Sequence, residues 1–278
     1  MWSITWFPCL WYYSAMKVLP LENPFGARVY RIETATSTFD IARKLAEDGE
    51  AHGAVICADF QEEGRGRQKR PWLTERGKSL LFTILLRYAD ASSMPEALTL
   101  KTGLAVSMAI EDFAPALRGQ VQIKWPNDVM ICRGHAKTAL KAAGILTEAD
   151  GSNVFIGVGV NVAQTEFPEE YRSKAGSIAQ VFPDLPNNAN FILLEKILSR
   201  LYGEIESLPK QEACDWRERI IQRLYKKGEA VTFAEGAADS NRLIEGTLSG
   251  IGSGGELLII PNGEKTARSF ITGELRVY

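Results

Sequence analysis

AGILTEADGSNVFIGVGVNV, residues 143–162, decides the fold. Two apolar runs, 143–148 and 154–162, flank Ala149-Asp150-Gly151-Ser152, whose composition suits a hairpin turn. Both runs are predicted strands. The second carries Gly157-Val158-Gly159-Val160-Asn161. Glycines at alternate positions strip the side chains from one face of a strand, so a ligand or another backbone can lie against it. The pattern specifies no dinucleotide fingerprint, because no helix and no third glycine follow.

Working outward, 54–58 (AVICA), 79–87 (SLLFTILLR) and 121–124 read as further strands. Helices are predicted at 38–48, 95–113, 190–207 and 212–226. In the first, Ile41, Ala42, Leu45 and Ala46 share one face, Ser37 or Thr36 is available as N-cap, and Gly49 ends it. Pro209 punctuates the last two. Beyond residue 228, alternating runs at 230–233, 242–248, 256–260 and 266–271 have Gly-rich turns between them. They predict a small, partly open β-barrel. The fold class is α+β: a central mixed β-sheet flanked by helices, plus a C-terminal β module. The domain division is a leader at 1–26, a mixed domain at 27–226 and the β domain at 227–278.

Composition narrows the function classes. The 278 residues are 45% hydrophobic and 24% charged, with 32 Lys and Arg against 34 Asp and Glu. Disorder and bulk nucleic-acid binding are both excluded by that balance. Cys9, Cys57, Cys132 and Cys214 are far apart, and His52 and His135 are the two histidines, so a clustered zinc site is not expected. Reduced thiols fit a cytoplasmic protein. Residues 1–16 are rich in aromatics, lack a basic n-region and are too short to span a bilayer; Met16 is an alternative start.

Several stretches carry chemistry. Gly64-Arg65-Gly66-Arg67-Gln68-Lys69-Arg70-Pro71-Trp72 concentrates charge between two strands. Its arginine forks suit phosphate or carboxylate oxygens, and Trp72 suits stacking on a planar group. A solvated loop or an RNA patch is the alternative. Lys124-Trp125-Pro126-Asn127-Asp128 ends a strand in a rigid turn and presents an amide and a carboxylate, or only an Asx-turn. Lys141 precedes Gly144 in Lys141-Ala142-Ala143-Gly144-Ile145-Leu146-Thr147-Glu148. It is a candidate phosphate contact or an ordinary surface lysine. Ser37 and Thr38 offer hydroxyls to a ligand or to the helix N-terminus, and Gln61 adds an amide.

In this order the motifs resemble the biotin protein ligase family. Its G-R-G-R-x-x-R-x-W, K-W-P-N-D, K-x-x-G-I-L-x-E and G-[IV]-G-[IV]-N patterns are met at 64–72, 124–128, 141–148 and 157–161. Gly273-Glu274-Leu275 resembles the family's closing motif. The resemblance implies a class II synthetase-like catalytic fold with an SH3-like C-terminal barrel. It also implies an enzyme using ATP and biotin with Mg²⁺. The enzyme makes biotinyl-5′-AMP and passes biotin to a lysine of a carrier domain of acetyl-CoA carboxylase or another biotin-dependent carboxylase. Arg65, Arg67 and Lys141 are the implied catalytic cations. Ser37, Thr38, Phe39, Gln61, Gly66, Gly144 and Gly157 would surround biotin, together with those cations. Arg67, Arg70, Trp72, Lys124, Asn127, Asp128 and Asn161 would face the nucleotide, with Asp128 near Mg²⁺.

The chain departs from the pattern in places. Phe39 stands where the family usually has Asn, so a polar contact to biotin is lost or replaced. Residues 129–140 are longer than usual, and Lys137 competes with Lys141. About 26 residues precede the catalytic block, too few for a helix-turn-helix DNA reader, so the monofunctional class is expected, with no DNA and no membrane partner. A homodimer is left open. Lipoate–protein ligase and a non-catalytic biotin- or RNA-binding module are the alternatives. The loop at 64–78 is expected to be mobile without ligand and to order on adenylate binding. Unchanged protease sensitivity on adding biotin and ATP would count against that.

Overall fold

The computed structural model describes residues 15–132, 139–207, 216–236 and 242–276. Cys9, Lys137, His135 and Cys214 lie outside them, as does most of the aromatic leader. The chain builds an eight-stranded sheet in the order β1-β2-β3-β4-β8-β7-β6-β5. Its strands are β1 (Lys17–Leu19), β2 (Val29–Ile32), β3 (Ala54–Ala58), β4 (Ser79–Arg87), β5 (Val121–Lys124), β6 (Asp128–Cys132), β7 (Ala139–Asp150) and β8 (Asn153–Asn161). Only β2 and β3 pair in parallel among these; the other pairs are antiparallel.

Alternation along the strands explains the layering. Val55 and Cys57 enter one core with Leu80, Phe82, Ile84, Ile156, Val158 and Val160. There they meet α2 (Leu98–Phe113) and α3 (Ala189–Tyr202). Their neighbours Ile56 and Ala58 turn to the other face, with Leu85 and Phe155, and pack under α1 (Thr38–Glu47). Side chains two apart share a face, so Phe155, Gly157 and Gly159 of β8 all belong to the α1 side. Helix α1 covers Phe155, and the glycines continue past its N-terminus.

The first helix forms as its sequence dictates. Ser37 caps it, its hydroxyl accepting from the Phe39 N–H at 3.4 Å. It ends where Gly49 takes φ +85°, a conformation that costs glycine little.

Three differences from the expected elements have local causes. The leader is not separate from the fold: Lys17–Leu19 adds an edge strand to β2. On either side of 133–138, which lie outside the described residues, 129–132 and 139–140 are strand and extend the β6–β7 ladder as far as the Cys132–Ala139 pair. The last predicted helix is short, α4 (Trp216–Gln222) among the described residues. It stops because the chain turns to pair with β5: Ile123 N–H donates to Arg223 O at 2.7 Å and Tyr225 N–H to Ile123 O at 2.9 Å.

The C-terminal sheet runs β12-β11-β10-β9-β13. Its strands are β9 (Ala230–Glu235), β10 (Leu243–Ile251), β11 (Leu257–Pro261), β12 (Arg268–Phe270) and β13 (Gly273–Arg276). It is all antiparallel, consistent with an SH3-like barrel. A second core joins it to the large sheet through Leu100, Leu104, Ile123, Trp125, Trp216, Phe233 and Leu257. Trp125 also donates its indole N–H to Gly255 O at 3.0 Å. None of the described helices is long and apolar enough to cross a membrane.

Candidate functional site

A cavity of about 610 Å³ opens on the α1 face, beyond the N-terminus of that helix. Its floor is a row across the sheet. Asp128 pairs with Gly144, Gly144 with Gly159, and Gly159 with Leu81. The next row pairs Leu146 with Gly157 and Gly157 with Thr83. Three glycines therefore remove side chains from these two rows, leaving room for whatever packs against the strands.

The rim gathers cations. Lys141 Nζ sits 2.7 Å from Asp128 Oδ1, at ionic contact but outside directed hydrogen-bond geometry. Lys124 Nζ lies 3.9 Å from the other oxygen. Lys124 is almost fully buried, and burial lowers its pKa against the opposing pull of Asp128. The segment after β8 closes over this corner: Lys141 N–H donates to Lys174 O at 2.7 Å and Gly176 N–H to Lys141 O at 2.9 Å. Asn161 donates its amide to Gly176 O at 3.0 Å, while its Oδ1 is buried without a partner.

The basic loop folds back on itself, Gly66 N–H to Arg70 O and Trp72 N–H to Gly64 O, both at 2.8 Å. Its arginines point to three places. Arg65 pairs with Asp40 of α1. Arg67 Nη1 donates to Asn127 Oδ1 at 3.2 Å, and burial lowers its pKa. Arg70 straddles both oxygens of Glu274 in β13, at 3.2 and 3.0 Å. Trp72 lies on the glycine floor: a Cβ on Gly159 would come within 2.6 Å of its ring and one on Gly144 within 2.9 Å. Lys141 Nζ is 5.4 Å from the indole centroid, within cation–π range.

The head end of the groove is polar on one side. Gln61 Oε1 accepts from Thr38 N–H at 2.7 Å and from Thr38 Oγ1 at 3.0 Å, and Thr83 Oγ1 donates to Thr38 Oγ1 at 2.8 Å. Thr83 escaped the sequence reading, although it is the one hydroxyl inside SLLFTILLR between Ser79 and Arg87. Glu274, Tyr171 and Lys174 also line the cavity unpredicted as ligand contacts.

Of the sixteen candidate residues, fifteen line this one cavity. Ser37 is the exception, buried as the helix cap. One further expectation is corrected. Gly157 does not present an open face, because the Phe39 ring fills it: a Cβ there would lie 2.2 Å from Phe39 Cε2. Asp128 is flanked by the two lysines, Lys141 and Lys124.

The site is thus a glycine-floored groove with cations at one end and hydroxyl and amide groups at the other. Comparison with known proteins is specific. The biotin/lipoate A/B protein ligase family matches residues 30–161. The chain is 30% identical over 197 residues to a biotin–[acetyl-CoA-carboxylase] ligase of Mycobacterium tuberculosis, covering 68% of this chain and 69% of that one. It is 33% identical over 174 residues to the bifunctional ligase/repressor BirA of Bacillus subtilis, of which it spans about half, 51%. The Aquifex aeolicus biotin protein ligase, solved with biotin and ATP, superimposes with a TM-score of 0.69 at 26% identity, covering 89% of this chain and 97% of that one. The chain belongs to the biotin/lipoate A/B protein ligase family.

The Arg70–Glu274 contact ties the basic loop to the C-terminal sheet. Both side chains are partly exposed, so the pair is worth about 0.2–1 kcal/mol. Glu274→Ala is expected to raise the rate of limited proteolysis within residues 64–78 by roughly two- to fivefold. An unchanged cleavage rate would show that the loop is held by its other anchors, Arg65 on Asp40, Arg67 on Asn127 and Trp72 on the glycines, without help from Glu274.

Proposed function

We propose that this chain is an ATP-dependent ligase that activates biotin as biotinyl-5′-AMP and transfers it to a lysine of a biotin carboxyl carrier domain. A carboxylate oxygen of biotin attacks the α-phosphorus of ATP, the bond to the β-phosphate oxygen breaks, and pyrophosphate leaves. The acceptor amine then attacks the acyl carbon, loses a proton, and AMP departs. Neither step needs a covalent protein nucleophile. Both need two anions held together and charge neutralised as it develops.

The observation that carries this reading is the division of the groove. Lys141, Lys124 and Arg67 stand at one end of the glycine floor and Thr38, Gln61 and Thr83 at the other. A polar ring system fits the second end, and its carboxylate tail would run along the glycines to the cations. Asn161, with its orphan Oδ1, suits a donor from the nucleotide base. The Aquifex complex with biotin and ATP supports the same pair of substrates. Asp128, at the cationic end of the groove, is the carboxylate that would face Mg²⁺ brought in with the triphosphate, and that ion would supply charge neutralisation there. A carrier domain of acetyl-CoA carboxylase is the acceptor that the Mycobacterium relative suggests.

Pyrophosphate release with Mg-ATP and biotin, run beside lipoate, tests the reading. Biotin-dependent release, followed by label on a carrier lysine, is expected. Release with lipoate alone would move the chain to the lipoate branch of its family.

A further inference from the structure

At the head end of the groove one wall is unlike a polar ligand site. Phe39 is 4% exposed and lines the cavity. Its ring occupies the space that Gly157 leaves, with Cε2, Cζ and Cδ2 at 2.2, 2.6 and 3.2 Å from where a Cβ would sit. The ring is flanked by the hydroxyl and amide cluster, for Thr38 precedes it on α1 and Thr83 pairs with Gly157 across the strands. The other neighbour of Gly157 is Leu146. A ligand entering along the glycines meets hydrogen-bonding groups on one side and a flat aromatic stop at the end. Two adjacent glycine positions thus serve opposite purposes: Gly159 lies under the Trp72 indole, and Gly157 seats the stop.

We propose that Phe39 is a specificity-determining residue, whose ring on Gly157 sets the depth of the groove and excludes head groups bulkier than the fused rings of biotin. The proposal rests on the biotin reading above. Close packing makes the wall rigid. Phe39 belongs to the core under α1 with Ile41, Leu45 and Phe155, and such interiors yield little to an added methyl group.

The test compares kcat/KM for pyrophosphate release with biotin and with biotin methylated on a ureido nitrogen. The proteins are wild type, Phe39→Ala, Phe39→Leu, Gly157→Ala and the double variant Phe39→Ala/Gly157→Ala. Circular dichroism and thermal melting report folding. Wild type is expected to prefer biotin, and Phe39→Ala to narrow that preference about tenfold or more, the discrimination one small apolar group commands in a tight pocket. Gly157→Ala alone is expected to weaken biotin use by about tenfold, because its methyl pushes the ring into the groove. The double variant should recover most of that loss. If Phe39→Ala does not fold, Phe39→Leu carries the same comparison with a smaller change. A preference that shifts less than threefold in a folded variant, or losses that simply add in the double variant, overturns the proposal. Absence of biotin turnover by wild type instead overturns the reading beneath it.

Discussion

Lys141→Ala is expected to lower biotin-dependent pyrophosphate release by about 10²–10³, the usual loss when one preorganised charge-stabilising group is removed. The geometry argues for it in two ways. Lys141 is the cation at the end of the glycine floor, beside Gly144 and above Asp128. Its ammonium is also held, 2.7 Å from Asp128 Oδ1 and 5.4 Å from the Trp72 ring centroid, on a backbone bonded to Lys174 and Gly176. Its removal leaves Asp128 with Lys124 at 3.9 Å as its remaining lysine neighbour, close enough to keep the carboxylate compensated, so the loss falls on the substrate anions. Lys141→Arg should retain more activity than Lys141→Ala, because charge rather than shape is the main demand on the developing pyrophosphate. Lys137→Ala should leave the rate within about twofold, since the spacing to Gly144-Ile145-Leu146 favours Lys141. A fall of less than tenfold in Lys141→Ala, or a larger fall in Lys137→Ala, would reassign the phosphate lysine.

The second large effect is on stability. Phe233→Ala is expected to cost about 3–5 kcal/mol, as truncation of a fully enclosed aromatic does. Phe233 is 0% exposed, at 4.8 Å between ring centroids from Phe270 and 6.0 Å from Trp125. Gly273 makes room for it: a Cβ there would lie 2.1 Å from Phe233 Cζ. The ring thus bridges the C-terminal sheet and the tryptophan that precedes Asn127 and Asp128. Urea denaturation should show the midpoint falling with little change in slope. The deeper consequence is functional: the variant should lose pyrophosphate release in parallel with its C-terminal packing, because Trp125 loses its aromatic neighbour. A loss under 1 kcal/mol would mean that the β domain contributes little to the common core.

Much of this site was legible from residue order. The long strands 79–87 and 154–162 are apolar runs that can only be buried, and the glycines at alternate positions of the second announce a face stripped of its own side chains, though not that Phe39 and Trp72 lie on it. The loop at 64–72 announces its charge. Shorter strands were less legible. Val29–Ile32 carries Arg31 among its few residues, and Asp128–Cys132 begins inside what reads as a turn. Each is made a strand by the neighbours it pairs with, and short windows hold too little periodicity to show that.

By itself, then, the sequence determined the α+β class, the strand that floors the groove, the cations available to it and the family to which those motifs belong. Only the tertiary structure decided how these groups are spent. It assigned Arg65 to Asp40, Arg67 to Asn127 and Arg70 to Glu274, 204 residues away. It placed Phe39 on Gly157 and Trp72 on Gly159, and it chose Ser37 as the helix cap where the sequence offered Ser37 or Thr36. The physical reason is range. Backbone pattern is set by neighbours a few positions apart, whereas the partner of a charge or the tenant of a glycine is whichever side chain the sheet register brings within a few ångströms.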